Sequence, residues 1–195
     1  GGDLTIWWCA GAGVTATPQT VLDAELNTLE GFVELVAVAG RESSRRITFF
    51  YASSAGGVLA GASTPPFTEE TSPRPLAPYG WAKLKAESIV STLVQSGVRV
   101  AIGRLANLYG EGQDLTKPQG LISQLCVAHH TARPTNIYVS LDTLRDYIYV
   151  ADAARLCIDL TIRVAKLDTV QSVAKIVGSG QSVSIGSLLA EMRRL

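Results

Sequence analysis

Short, continuously apolar runs alternate along the chain with longer stretches in which apolar positions recur every three or four residues. Residues 4–10 (LTIWWCA) are one such run, closed by Gly11-Ala12-Gly13, and predict a strand buried on both faces. Trp7 and Trp8, being adjacent in a strand, are expected on opposite faces of the sheet as packing residues. Residues 17–38 predict a helix. Pro18 sits near its start, where a missing N–H is harmless, and Val21, Leu22, Leu26, Leu29, Phe32, Val33 and Val36 form a helical stripe. Residues 46–53 (RITFFYAS), rich in aromatic and β-branched types, predict a second strand. Residues 56–78 hold several Gly, Ser, Thr and Pro and read as a loop. A helix over 79–95 stops at Gly97, and a third strand spans 98–105. Beyond it the pattern predicts a helix over 120–130, short strands over 136–140 and 146–150, a helix over 151–163, a strand over 170–177 and a last helix over 184–195.

Strands alternating with helices of this length imply a parallel sheet with helices on both faces, the doubly wound α/β class. Ligands in such sheets bind at the carboxyl ends of the strands. The loops after Ala10, Ser53 and Leu105 are therefore expected to converge on one crevice.

Composition narrows the function classes. A chain of 195 residues suits one domain or a large part of one, and 47% hydrophobic with 17% charged residues supports a packed core rather than disorder. The formal net charge is zero, so no global field favours nucleic acid or an anionic membrane. No apolar run reaches the ~20 residues of a membrane span, and no charged leader followed by an apolar stretch is evident. Cys9, Cys126 and Cys157 are odd in number and far apart. They offer neither zinc spacing nor a disulfide framework, fit a reducing cytoplasm, and are expected to be small core residues. His129 and His130 are adjacent, point in different directions on a helix and lack further ligands at metal spacing, so no metal site is expected. Asp146 and Asp152 are expected to orient loops and cap a helix.

The candidate chemistry is at Tyr79 and Lys83. Four residues apart near a helix start, they share one face. A free phenol is a poor base at neutral pH, and a nearby ammonium is expected to lower its pKa. Such a tyrosine can exchange a proton with a substrate hydroxyl while a nicotinamide exchanges hydride. Ser53 and Ser54 end the preceding strand, where a hydroxyl can hold the same substrate oxygen in line. The Tyr-x-x-x-Lys spacing alone is weakly specific, because a surface helix pair has the same form.

Four linked segments add specificity: YASSAGGVLAG, TEETSPRPLAPYGWAKLKAE, GRLANLYGEG and RDYIYVADAA. In this order they resemble the extended short-chain dehydrogenase/reductase superfamily, and within it the NAD-dependent epimerase/dehydratase branch. The resemblance implies a Rossmann-like sheet. It makes Tyr79 the catalytic acid/base and Lys83 a residue that also binds the nicotinamide ribose. Ser54 matches the catalytic serine, with Ser53 as the alternative and as a cofactor neighbour. Ala10 and Gly11 match the turn against the dinucleotide, and Asn27 matches an asparagine that supports the active site. Asn107 matches a position near the cofactor–substrate junction, and Arg145 an arginine that contacts substrate phosphates, for which a guanidinium fork is suited. It also implies NAD or NADP as cofactor, a nucleotide-sugar substrate, and a homodimer pairing the helices over 17–38 and 79–95.

The departures shape the expectation as much. The family's opening strand, glycine-rich phosphate loop and helix would precede Leu4, and the chain stops short of the family's usual end. The expected architecture is thus N-terminally incomplete. Residues 1–110 would form a partial dinucleotide-binding domain, and 111–195 a mixed region of partial substrate domain and returning Rossmann elements. A rival reading makes Gly11-Ala12-Gly13-Val14-Thr15-Ala16 the dinucleotide fingerprint itself. Its short distance to Tyr79, and the want of an acidic ribose partner ~20 residues on, speak against it. Ala55-Gly56 stands where dehydratases of the branch carry Asp-Glu, which disfavours 4,6-dehydration. An epimerase-like oxidoreductase leads. A carbonyl reductase of the superfamily, and a non-catalytic remnant with impaired cofactor binding, are the alternatives.

Overall fold

The computed structural model describes residues 2–117 and 119–194. In chain order the strands are β1 (Leu4–Trp8), β2 (Ile47–Ser54), β3 (Arg99–Leu105), β4 (Asn107–Tyr109), β5 (Leu144–Tyr149), β6 (Ser172–Val177) and β7 (Ser182–Ser184). The helices are α1 (Gln19–Glu42), α2 (Ala55–Val58), α3 (Pro78–Ser91), α4 (Leu121–Thr131), α5 (Val150–Ala165) and α6 (Ile185–Met192), with a 3-10 turn over Thr92–Ser96. Leu195, the end of the predicted last helix, lies outside the described residues. None of the described helices is long and apolar enough to cross a membrane.

The chain divides into two compact units. One is the chain up to Leu105 with Leu156–Val177, and the other is Ala106–Arg155 with the residues from Gly178 on. The first unit runs to the end of β3 and resumes with the second half of α5 and β6.

The first unit is a four-stranded sheet in the order β1-β2-β3-β6, parallel throughout. Strand alternation sorts the side chains of β2 and β3 onto two faces. Ile47, Phe49 and Tyr51 of β2, with Val100 and Ile102 of β3, join one buried cluster with Leu26, Leu29, Val33 and Val36 of α1 and Ala86 and Val90 of α3. Phe50 faces the other way, against Trp7 at a ring separation of 4.7 Å. The end of α5 borders that second face, where Thr161 and Ile162 share a groove with Thr5 and Trp7.

Strand β1 departs from its expectation. A continuous apolar run predicts burial on both faces, yet Leu4 is 40% and Trp7 42% exposed. Among the described residues β1 pairs with β2 on one side. Trp8 still packs against Phe32 of α1, with ring centroids 5.0 Å apart.

Helix α1 runs four residues past the predicted stop. It continues through Gly40, whose missing side chain lets the helix approach the 3-10 turn: a Cβ there would lie 2.5 Å from the Ser96 carbonyl oxygen. Gly97, at φ 79°, ends that turn as expected. Residues 136–140 are not a strand. The second unit instead pairs β4 with β5 in parallel and β5 with β7 antiparallel. Cys157 is buried, but Cys9 and Cys126 are exposed, the former in the loop after β1 and the latter on α4.

The predicted loop over 56–78 opens with a helical turn, α2. Ser54 caps it by accepting the Gly57 N–H at 3.1 Å. Pro78 then begins α3, pre-set for a helix start. The two helices touch where both lack side chains, since a Cβ on Gly80 would lie 2.2 Å from the Gly57 carbonyl oxygen. Gly80→Ala is therefore expected to destabilise the chain by at least about 1–3 kcal/mol, the usual range for overpacking, in urea unfolding. Unchanged stability would show that α2 and α3 can separate freely.

Candidate active site

The carboxyl ends of β1 and β2 open onto a cleft of about 300 Å³. Its lining includes Ala10, Gly11 and Ala12 from the turn after β1, Glu25 from α1, Tyr51 from β2, and Tyr79 and Lys83 from α3. Helical spacing explains the last pair: four residues apart, both side chains leave α3 on the side that faces the sheet.

Lys83 Nζ donates to the Ala52 carbonyl oxygen at 3.2 Å. It stands 5.2 Å from the centre of the Tyr51 ring and 5.8 Å from that of Tyr79. Ser54 and Tyr79 meet at Gly57: the position a Gly57 side chain would take is 3.3 Å from Ser54 Oγ and 3.1 Å from Tyr79 Cε1.

The two adjacent serines have different surroundings because a strand alternates. Ser53 shares the parity of Phe49 and Tyr51 and points under α3. It is 3% exposed and donates to Glu87 Oε1 at 2.6 Å. Arg104 of β3 completes this buried group, its Nη2 2.7 Å from Glu87 Oε2. Ser53 is thus committed to an internal ion pair and does not line the cleft, whereas Ser54, one residue on, sits beside the phenol. Removing one member of such a pair strands a charge in the interior, at a cost of about 3–5 kcal/mol.

Burial dominates the protonation of the pair. Desolvation pushes the Tyr79 phenol up, with the neighbouring Ser54 hydroxyl acting downward and the Glu25 carboxylate upward. Tyr51 is pushed up as well, again chiefly by burial. Lys83 is pushed down by burial, with Glu25 the largest opposing influence. This corrects the expectation that the ammonium lowers the phenol. Burial sets the direction for the phenol, and the lysine Nζ is turned to the Ala52 carbonyl.

Asn27 does not fit its expected place. It lies on the exposed side of α1 and does not line the cleft; Glu25, two residues earlier, does. Asn107 and Arg145 belong to the second unit, and both are exposed there. Asn107 Nδ2 donates to the Asp146 carbonyl oxygen at 2.8 Å. The Asp146 carboxylate accepts from Ser179 N and Oγ and from Gly180 N, each at 2.9 Å, and so holds that loop. Asp152 pairs with Arg155 at 2.9 Å on the surface. His129 and His130 are exposed, and no metal-binding cluster occurs among the described residues.

Sequence reasoning missed Glu25, Glu87 and Arg104. Each carried a signal. Glu25 interrupts the apolar stripe between Leu22 and Leu29, Arg104 interrupts an apolar strand, and Glu87 lies one turn beyond Lys83 on the same helix face. A charge on a buried face implies a partner or a ligand.

The cleft fits part of a dinucleotide. Its turn offers backbone without bulky side chains, with Gly11 at φ 127°, and its volume is at the small end for ligand pockets. The loop does not run into a helix at Gly13; α1 begins only at Gln19, which removes the geometric basis of the fingerprint reading for residues 11–16.

Residues 4–170 match the model of the NAD dependent epimerase/dehydratase family. The chain is 28% identical over 139 residues to dTDP-4-dehydro-6-deoxyglucose reductase of Escherichia coli, covering 70% of this chain and 42% of the relative. It is 30% identical over 136 residues to a protein of Methanocaldococcus jannaschii described as a putative UDP-glucose 4-epimerase, covering 69% of this chain and 44% of that protein. The chain thus spans less than half the length of these relatives. Among solved structures, MoeE5 in complex with UDP-glucuronic acid and NAD superposes at a TM-score of 0.80 and 25% identity, over 97% of this chain and 61% of that one. UDP-glucose 4-epimerase of Thermotoga maritima shares the fold at a TM-score of 0.80 and 20% identity, over 97% of this chain and 60% of its own.

A desolvated ammonium has a signature in stability. Because folding lowers the affinity of Lys83 for its proton, the charged form costs the fold below the folded pKa, and that cost fades as pH rises toward the reference value of 10.5. Lys83→Met removes the cost along with the bond to Ala52. The stability of the variant relative to wild type is expected to fall as pH rises from neutrality to 10.5. A difference independent of pH in thermal unfolding would contradict the burial argument.

Proposed function

The chain belongs to the NAD dependent epimerase/dehydratase family, and on that footing we propose that it is an NAD-dependent, epimerase-like oxidoreductase acting on a nucleotide sugar. The observation that carries this reading is the cleft in which Tyr79 and Lys83 stand together with Ser54 beside the phenol. NAD is favoured over NADP because the MoeE5 structures, which the chain resembles over 97% of its length, hold NAD. The substrate class follows the nucleotide sugars named for the same structures.

Bound in this cleft, a nicotinamide supplies a hydride acceptor and a positive charge. Tyr79 Oη is the group placed to take a proton from a sugar hydroxyl and later to return it. Burial favours the protonated phenol, and the positive charge of a bound nicotinamide would favour its proton-accepting form. Lys83 adds a second positive charge and donors for ribose hydroxyls. The Ser54 hydroxyl orients the reacting oxygen. Backbone of the Ala10–Gly11 turn would lie against the dinucleotide, and the family resemblance assigns Asn107 to the cofactor–substrate junction and Arg145 to the substrate's phosphates.

Two further elements belong to the proposal. A second copy of the chain would cover apolar side chains left outward on α1 and α3, where Leu35 is 68% and Trp81 59% exposed. A cytoplasmic setting suits three free cysteines.

A carbonyl reductase is the second reading, favoured by the 28% identity to the Escherichia coli reductase. One assay separates the two. An epimerase interconverts nucleotide-sugar isomers with no net change in NADH absorbance, whereas a reductase consumes NADH with a keto-sugar nucleotide. Under either reading Tyr79→Phe is expected to lower kcat by at least ~10²-fold while leaving cofactor affinity within a few fold. Full turnover by the phenylalanine variant would remove Tyr79 from the chemistry.

A further inference from the structure

Glu25 is a carboxylate on an otherwise apolar helix face, flanked on α1 by the buried Leu22, Leu26 and Leu29. Its two oxygens have separate environments. Oε1 accepts the N–H of Ala12, thirteen positions earlier in the chain, at 2.7 Å. Oε2 lies 3.2 Å from the point where a Gly13 side chain would begin, and Tyr79 Cδ2 lies 3.5 Å from that same point. Oε2 is also 3.4 Å from the corresponding point on Gly11. Gly11 and Gly13 therefore leave room for one carboxylate, and that carboxylate shares the cleft lining with Tyr79 and Lys83.

We propose that Glu25 is a positioning residue of this cleft, which clasps the Ala10–Gly13 turn to α1 and sets a negative charge facing the Lys83 ammonium. The proposal rests on the reading of Tyr79 and Lys83 as the reactive pair only for its bearing on catalysis, because the clasp and the charge exist in the ligand-free chain. The turn it holds is the one assigned to the dinucleotide, so turn geometry and lysine charge are coupled through one side chain. The other titratable groups facing Lys83 are Cys9 from the end of β1, Tyr51 from β2, and Tyr79 and Glu87 from α3. Of the charges that favour the ammonium, that of Glu25 acts most strongly, ahead of Cys9 and Glu87.

The test uses the ligand-free chain, so failure to bind NAD would count against the proposed function and leave this inference to its own readouts. Lys83 is labelled at its ε-carbon and followed by NMR across pH, its signal assigned by disappearance in Lys83→Arg. In Glu25→Gln, which keeps an acceptor for Ala12 and loses the charge, the Lys83 midpoint is expected to fall by about half a pH unit or more. Amide exchange at Ala12 is the second readout. It is expected to quicken at least ~10-fold in Glu25→Ala and to stay close to wild type in Glu25→Gln, with the core amides of Phe49 and Val100 as internal controls. An unmoved Lys83 midpoint in Glu25→Gln overturns the inference. So does unchanged Ala12 exchange in Glu25→Ala.

Discussion

Helix α3 can deliver Tyr79 to Ser54 only because the backbone of α2 and the start of α3 come together without side chains between them. A single Cβ on Gly80 would overlap the Gly57 carbonyl. Most features of the cleft depend on that approach. The Tyr79 ring lies over Gly57, Ser54 is fixed by capping α2, and Lys83, one turn along, meets the last carbonyls of β2. The next turn carries Glu87 into the interior, where Ser53 and Arg104 meet it and fix the register of α3 against β2 and β3. Close backbone contact sets the distance, and the buried ion pair sets the rotation.

The same closeness excludes water, and dehydration shifts both members of the Tyr79–Lys83 pair toward their neutral forms. Under the proposed function, a positive ligand charge would move the phenol toward its reactive form. Glu25 acts against that drift for the lysine and with it for the tyrosine. One carboxylate thereby favours the charged lysine and the protonated phenol at once.

Much of this was legible in the sequence. All four parallel strands and both sheet-facing helices followed from apolar runs and helical stripes. The Tyr79–Lys83 spacing gave a shared face because helix geometry is local. What failed depended on neighbours. Ser53 and Ser54 are alike in type, and only the parity of β2 together with a glutamate 34 residues away separates them. Asn27 was selected by resemblance, while the residue turned into the cleft is Glu25, which periodicity marks through its place beside Leu22 and Leu29. The lysine's effect on the phenol was misjudged because spacing carries no information on desolvation.

The central claim is that this cleft binds the nicotinamide half of a dinucleotide against Tyr79 and Lys83. Trp8 lines the cleft and reports on it directly. Titrating the chain with NADH while exciting tryptophan measures energy transfer to the bound reduced nicotinamide. The account predicts saturable transfer that is reversed by excess NAD. A folded chain showing no transfer at millimolar NADH would contradict it.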